Sequence, residues 1–413
     1  MKFDVIVIGA GAAGLAAARA LSGAGKRVCI LEARPRVGGR VYSLHHSDLP
    51  LPIELGAEFV HGESATTFRI VDAAALIACE LPDDHWWSRD GKREEIRDFW
   101  GRIDAIRSKI GALKRDISFA EFLRTQKFPP RMRELACNFV EGYHASHADR
   151  ISARVLRSAD SEQEEPGGNK QFRIANGQDA LIEWLRAGLD PERVELRLNT
   201  PVQRIAWEKG AVVVDDNLRA KAAVITLPIG VWKAGVVRFD PPLPEKEQAI
   251  AKIEAGHVVK IAFRFRERWW DEINFLHTND RFMPTWWTTA PVRSPILVGW
   301  AGGHAADALL AEGEEAMVER ALGAMARAFA VPRKKIDGLL AGTFTHDWQK
   351  DPFSRCAYSY AAVGGENAHA ALAKPVRQTL FFAGEATSGD QTGTVAGAVE
   401  SGLRAARETL RFV

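Results

Sequence analysis

The chain has 413 residues, 46% of them apolar and 26% charged, a size and composition that suit a soluble protein of two domains rather than one ordinary core. Lys and Arg number 55 against 53 Asp and Glu, for a net charge of +2, so there is no general attraction to nucleic acid or acidic lipid. No uncharged apolar run reaches the roughly 20 residues of a membrane helix. Only Met1 and Lys2 precede the first apolar run, and Cys29, Cys79, Cys137 and Cys356 form neither a CxxC pair nor a metal-ligand spacing. The expectation is a cytoplasmic protein with no signal peptide, no membrane or nucleic-acid partner and no metal.

Residues 3–8, Phe-Asp-Val-Ile-Val-Ile, read as a parallel strand buried on both faces. Gly9-Ala-Gly11-Ala-Ala-Gly14 follows at once, and Leu15 to Leu21 is rich in Ala and Leu, a helix pattern. Arg27 to Leu31 is a second strand, ending in Glu32. In this order the pieces form a dinucleotide site. Gly9 permits a tight turn, Gly11 lets backbone approach a pyrophosphate, and Gly14 lets helix and strand pack. The helix start offers N–H groups to phosphate. Glu32 can accept from a ribose, and its charge disfavours NADP.

Arg34-Pro-Arg36-Val-Gly38-Gly39-Arg40 adds a second glycine loop, with Arg40 placed to pair with pyrophosphate oxygens. From Ala73 to Glu165 the pattern is mostly helical, with an amphipathic face over Arg97–Lys114. Glu162 to Asn169 reads as a loop at a domain crossing. Helix is expected at Gln178–Leu189 and strands at Val194–Asn199, Val202–Trp207, Ala211–Asp215 and Ala222–Leu227. Further strands are Val258–Phe265, Ile296–Trp300 and Gly342–His346, with a helix at Gly313–Phe329. Thr379 to Ala383 is a short buried strand. It leads into Gly384-Glu385 and then Gly393 to Gly402, a small-residue helix whose first N–H groups can meet an electron-rich ring edge. Together these segments make a site long enough for FAD.

The Gly9–Gly14 loop, Glu32, Gly38-Gly39-Arg40, the Glu54–Gly62 segment and the Gly384–Gly402 terminus resemble the flavin-dependent amine oxidases, which include monoamine oxidases, polyamine oxidases and lysine-specific histone demethylases. The resemblance spans the whole chain. It implies an α/β fold in which a Rossmann-like FAD-binding domain is interleaved with an α+β substrate domain, the architecture shared with p-hydroxybenzoate hydroxylase. The cofactor domain is expected to comprise residues 1–75, 168–249 and 350–413, and the substrate domain 76–167 and 250–349. Cofactor contacts are implied for Gly9, Gly11, Ala13, Gly14, Glu32, Ala33, Arg34, Gly38, Gly39, Arg40, Gly56, Ala57, Glu58, Val202, Gly384, Glu385, Thr394 and Val395. Within that set Glu385 meets the ribityl or phosphate region, Val395 N–H faces the pyrimidine oxygen, and Val202 meets the adenine.

Lys260 lies among Val258, Val259, Ile261 and Ala262, where a lysine is expensive unless it faces a polar cavity. The resemblance gives it a water at flavin N5, and gives Tyr358 one wall of an aromatic cage. Thr394 stands where monoamine oxidases have the second cage tyrosine, so the cage is half built. Trp286 and Trp287 could supply the missing wall, but adjacent strand residues point to opposite faces, so at most one does. His61 stands where polyamine oxidases line the substrate tunnel; a structural histidine reads equally well. The position of the covalent flavin cysteine holds Ala357, one residue from Cys356, so FAD is expected to be non-covalent. The implied reaction turns an amine C–N bond into an imine, with O2 reduced to peroxide; the protein's part is to position the amine and exclude side reactions. An amino-acid oxidase, an enzyme like the protoporphyrinogen oxidases or carotenoid desaturases, and a non-catalytic flavin protein remain alternatives. The amine and the oligomeric state are not legible in the sequence.

Overall fold

The computed structural model describes residues 2–89, 91–158 and 168–413. The opening apolar run forms strand Val5–Ile8, buried throughout. It pairs in parallel with Val28–Leu31 and Ala222–Ile225, and Val194–Arg197 and Leu380–Phe382 complete five parallel strands. Both faces are covered, which is why the inner strands read as unbroken apolar runs. Helices Ala12–Gly23, Asp179–Ala187 and Val395–Thr409 pack on one face. The strands Arg204–Glu208, Ala211–Val214 and Leu218–Ala220 pack on the other.

The two chain ends meet here. A Cβ on Gly402 would fall 2.2 Å from the Ala13 carbonyl oxygen, so the first and last helices approach at backbone distance only because glycine stands there. Both helices start at the carboxyl edge of the parallel sheet, where such folds bind ligands.

A second sheet has, among the described residues, seven strands in the order Leu340–Thr345, Val258–Phe265, Ile296–Gly302, Thr285–Thr288, Phe275–Thr278, His85–Arg89 and Lys92–Glu95. All pairs are antiparallel except Phe275–Thr278 with His85–Arg89. Helices Gly303–Leu310, Glu314–Phe329 and Arg333–Leu339 cover one face around Phe263, Phe265 and Trp286. Helices Phe99–Arg107 and Pro130–Tyr143 belong to a third core and lie over a chamber on the opposite face of the sheet.

The expected helical stretch from Ala73 to Glu165 needs correction. Ala78–Glu80, His85–Arg89 and Lys92–Glu95 are strands. The signal was Asp90-Gly91 between two short runs, a strong hairpin dipeptide, and Gly91 has φ +77°. The amphipathic face over Arg97–Lys114 is an α-helix only to Arg107, followed by a 3₁₀ turn over Ser108–Ala112. The strand expected from Val202 begins at Arg204. The expected crossing at Glu162 to Asn169 lies mostly outside the described residues. One three-stranded sheet, Phe59–His61, Gln171–Ile174 and Ala78–Glu80, draws strands from both expected domains.

Candidate active site

Two cavities abut. A cleft of about 510 Å³ runs along the carboxyl edge of the parallel sheet, and a chamber of about 780 Å³ lies over the seven-stranded sheet. Ala57, Gly393, Thr394 and Val395 line both.

The cleft is built by backbone. Gly9 has φ +102°, and a Cβ there would sit 2.5 Å from Thr226 Oγ1, so the turn out of the first strand accepts only glycine. Gly11 is different: a Cβ there meets nothing closer than the Gly38 carbonyl oxygen at 4.0 Å, and the position opens into the cleft. The start of helix Ala12–Gly23 therefore presents N–H groups and the positive dipole end to an open space. Ala13, Ala33, Gly38, Gly39, Val202 and Gly384 also line it.

Charged groups at the cleft are held in place. Glu32, 4% exposed, accepts from Ala10 N–H at 2.7 Å and Arg34 N–H at 2.9 Å. The Arg34 guanidinium turns away to Asp351 at 2.6 Å and Ser354 Oγ at 2.8 Å. Burial opposes the charge on Asp351, but His346 and Arg34 hold its carboxyl well below the usual range. Arg40 donates to the Ala357 carbonyl at 2.7 Å and to Glu385 at 3.0 Å. The other Glu385 oxygen accepts from Ser359 Oγ at 2.8 Å and Gly393 N–H at 3.1 Å. These carboxylates lock the two glycine loops and the C-terminal segment around one space.

Three expected cofactor residues fall outside the cleft lining. Gly14 lines neither cavity; a Cβ there would be 2.0 Å from the Gly9 carbonyl oxygen, so it serves packing. Gly56 and Glu58 face the chamber. Sequence reasoning missed part of the cleft: Thr226, Val231, Val237 and Phe353 also line it. They sit in loops and in the short helix Ile229–Lys233, and only the fold collects them.

The chamber is built by side chains. Lys260, 6% exposed, places Nζ 2.5 Å from Glu58 Oε2 and 3.1 Å from the Gly56 carbonyl oxygen. Glu58 Oε1 accepts from Arg173 at 2.5 Å and Trp287 Nε1 at 3.0 Å. Burial alone would raise the Glu58 carboxyl, but the charges and hydrogen bonds of Lys260 and Arg173 hold it down at about 2. The lysine is thus both salt-bridged and turned toward the cavity. Glu54, four residues earlier, accepts from Ser43 Oγ and Gln178 N–H; burial pushes it up to about 7.

Tyr358 lines the chamber and donates to the Tyr143 carbonyl at 2.9 Å; burial raises its phenol. A Cβ on Gly393 would meet its ring at 3.0 Å. The Trp287 and Trp300 rings pack 5.4 Å apart and both line the chamber. Trp286 points into the opposite core, fully buried, as alternation requires. Thr394 is committed elsewhere: it caps helix Val395–Thr409, accepting from Gly397 N–H at 2.9 Å and donating to the Gln391 carbonyl at 2.8 Å. Its hydroxyl serves the helix, and Val395 N–H, with no helical partner at this position, stands at the border of the two cavities. His61 lines the chamber edge-on to Tyr143 at 5.0 Å; burial lowers it to about 4. His144 beside it falls to about 3, by burial first and then the Arg107 charge. Cys356 is fully buried, lines neither cavity and sits among Ile229, Ile253 and Leu372.

Comparison with known proteins agrees with this geometry. The model of the family described as flavin containing amine oxidoreductase matches residues 12–410. Polyamine oxidase 3 of Oryza sativa subsp. japonica is 31% identical over 447 residues, covering 98% of this chain and 88% of its own. Polyamine oxidase 2 of Arabidopsis thaliana is 30% identical over 445 residues, covering 98% and 87%. Among solved structures, a putrescine oxidase superposes with a TM-score of 0.84 at 22% identity, covering 100% of this chain and 99% of its own. The cyclohexylamine oxidase of Brevibacterium oxydans IH-35A gives a TM-score of 0.85, also at 22% identity and with coverage of 100% and 99%; at that identity the likeness speaks for the fold. The chain belongs to the flavin-containing amine oxidoreductases.

Proposed function

We propose that the chain holds FAD non-covalently across the two cavities and oxidises an amine with O2 as acceptor. The shared wall at Ala57, Gly393, Thr394 and Val395 carries this reading: a long cofactor can lie in the cleft and end where the chamber begins. The residues present fit FAD. Gly11 leaves open the space that a pyrophosphate needs, the helix start at Ala12 supplies N–H donors, and Glu32 is acceptor-only at the ribose end. Bound there, the flavin supplies a two-electron acceptor that takes an amine C–N bond to an imine and returns the electrons to O2 as peroxide.

The chain's own residues do the rest. Apolar and aromatic walls at Phe59, Trp287, Trp300 and Tyr358 favour the neutral amine over the ammonium. Glu58 keeps a counter-charge beside Lys260, so Nζ remains a charged donor at the chamber, and Lys260 is the group we assign to hold a water there. Tyr358 and Gly393 shape the entrance to the shared wall. Residues 1–75, 168–249 and 350–413 make up the cofactor unit in this reading, and 76–167 and 250–349 the substrate unit. Cys356, pushed up to about 11 by burial and turned into an apolar cluster, is unsuited to a flavin bond. Unbridged cysteines at all four positions suit a reducing compartment and support a cytoplasmic site. No helix among the described residues is long and apolar enough to cross a membrane.

The test is anaerobic titration of the purified holoenzyme with mono-, di- and amino-acid amines. Bleaching of the visible flavin band, and peroxide on admitting air, are expected. A band that no amine bleaches, in an enzyme that oxidises a tetrapyrrole or polyene, overturns the reading. Acid precipitation is expected to release the flavin into the supernatant; flavin in the pellet overturns non-covalent binding. Lys260→Met is expected to slow reoxidation by O2 roughly a hundredfold, with amine reduction less affected.

A further inference from the structure

The floor of the chamber is a row of residues set by strand register. Lys260 pairs with Trp300, Trp300 with Thr285, and Thr285 with His277. Paired residues on neighbouring strands face the same side, and all four line the chamber. Three strand spacings of about 4.8 Å put His277 roughly 14 Å from Lys260. His277 is 8% exposed, so its ring is almost wholly enclosed, and yet it reaches the cavity.

Its hydrogen-bonding character is dictated from outside. His277 Nε2 lies 3.0 Å from His85 Nδ1, and His85 Nε2 lies 3.1 Å from Asp83 Oδ1. The His85 ring is clamped between Phe99 at 3.9 Å and Phe275 at 4.8 Å, near-parallel to both. A carboxylate only accepts, so with a single proton on the His85 ring that proton sits on Nε2, toward Asp83. The hydrogen bond from His85 is the first cause of the lowered Asp83 carboxyl. His85 Nδ1 then accepts, and the His277 proton sits on Nε2. His277 Nδ1 is left as a lone pair with no partner among the described residues. Burial holds His277 well below its ordinary value, so the ring remains neutral.

We infer that His277 Nδ1 is a distal acceptor that selects an elongated amine carrying a second N–H group on the order of 10 Å from the reacting carbon. Such a long diamine or polyamine lies along the register row, its first amine beside Lys260 and its second at His277. Asp83 and His85 are positioning residues, which act by fixing the tautomer of His277. This inference rests on the amine-oxidising reading of the chamber.

The experiment compares octylamine with its α,ω-diamine counterpart, which differ only in the distal nitrogen. For the wild type, the diamine is expected to show the lower KM. His277→Phe keeps a flat ring in the stack and removes the acceptor. It is expected to raise the diamine KM about tenfold, with kcat unchanged and octylamine within about twofold of wild type. Asp83→Asn is a second variant on a side chain 64% exposed; it frees the His85 tautomer and is expected to raise the diamine KM about threefold, again sparing octylamine. Equal effects on the two amines, or an unchanged diamine KM in the variants, overturn the inference and leave amine oxidation standing. If neither amine bleaches the wild-type flavin and no other amine does, the fault lies in the underlying reading.

Discussion

The cleft and the chamber are made by different means. The cleft is a product of backbone: turns at Gly9, Gly38 and Gly384, a helix start at Ala12, and carboxylates that bond to main-chain N–H groups. The chamber is a product of side chains brought together from distant strands, and it is held by the buried triad of Glu58, Lys260 and Arg173. Backbone sites tolerate little variation in shape, which suits the dinucleotide that the proposed function places in the cleft. Side-chain sites can be refitted one residue at a time, which suits the half of the molecule that the proposed function gives to the substrate.

The largest expected effect tests the chamber. Glu58→Gln leaves two buried cations without their counter-charge, and breaking such a group costs about 3–5 kcal/mol. Chemical denaturation is expected to show that loss at neutral pH. It is also expected to remove an acid-sensitive component. Glu58 ionises at about 2 in the fold against 4.5 as a free side chain, so its contribution is present above 4.5 and fades as pH falls toward 2. A stable, fully active Glu58→Gln variant contradicts the picture of a chamber held by charge.

Next comes the cleft. Gly11→Val adds atoms into open space rather than into a neighbour, since the nearest contact of a Cβ is 4.0 Å away. The apoprotein is expected to melt within about 0.5 kcal/mol of wild type, while flavin affinity falls on the order of a hundredfold because the pyrophosphate loses its place. Equal flavin content in the purified variant breaks the assignment of the cleft.

Trp286 and Trp287 make a smaller and sharper comparison. Trp286→Phe is expected to cost about 2 kcal/mol of stability, through the core behind the sheet, with kcat/KM for the preferred amine near wild type. Trp287→Phe is expected to change kcat/KM severalfold and stability less, although it also leaves Glu58 with one donor fewer. Matched urea melts and steady-state assays read the two apart, and a reversed pattern places the wrong tryptophan in the chamber.

The last effect concerns pH. Glu54 is raised by burial to about 7 from 4.5, so its protonated form favours the fold at low pH and stability declines as pH rises between those values, by at most about 1.4 kcal/mol per pH unit. Glu54→Gln is expected to flatten that slope in thermal melts. Two glutamates four residues apart thus carry opposite pH signatures, because one is paired with buried cations and the other mainly with neutral donors.

The α/β class, the dinucleotide loop, Glu32, both glycine loops and the flavin were legible in the sequence. Each is a local pattern, in which the residues that act together are neighbours or follow a strand directly. The alternation rule placed one of the two tryptophans at the cavity for the same reason. The strands His85–Arg89 and Lys92–Glu95 were missed because their tryptophans and charges do not alternate cleanly, and tertiary pairing with Phe275–Thr278 overrode a helical reading.

What only the tertiary structure decided are the relations across strands. Glu58 is called from its motif as a cofactor contact, yet it turns to Lys260, Arg173 and Trp287, which lie 115 to 229 residues away. Thr394 stands at the expected second wall of the cage, and its hydroxyl closes a helix cap. The row from Lys260 to His277 exists only through three strand registers, and the tautomer of His277 depends on Asp83, far earlier in the chain. A sequence specifies hydrogen-bond donors and acceptors, but which of them meet is set by how sheets pair and fold over one another. The cleft of this protein is written locally, and the chamber is written in register.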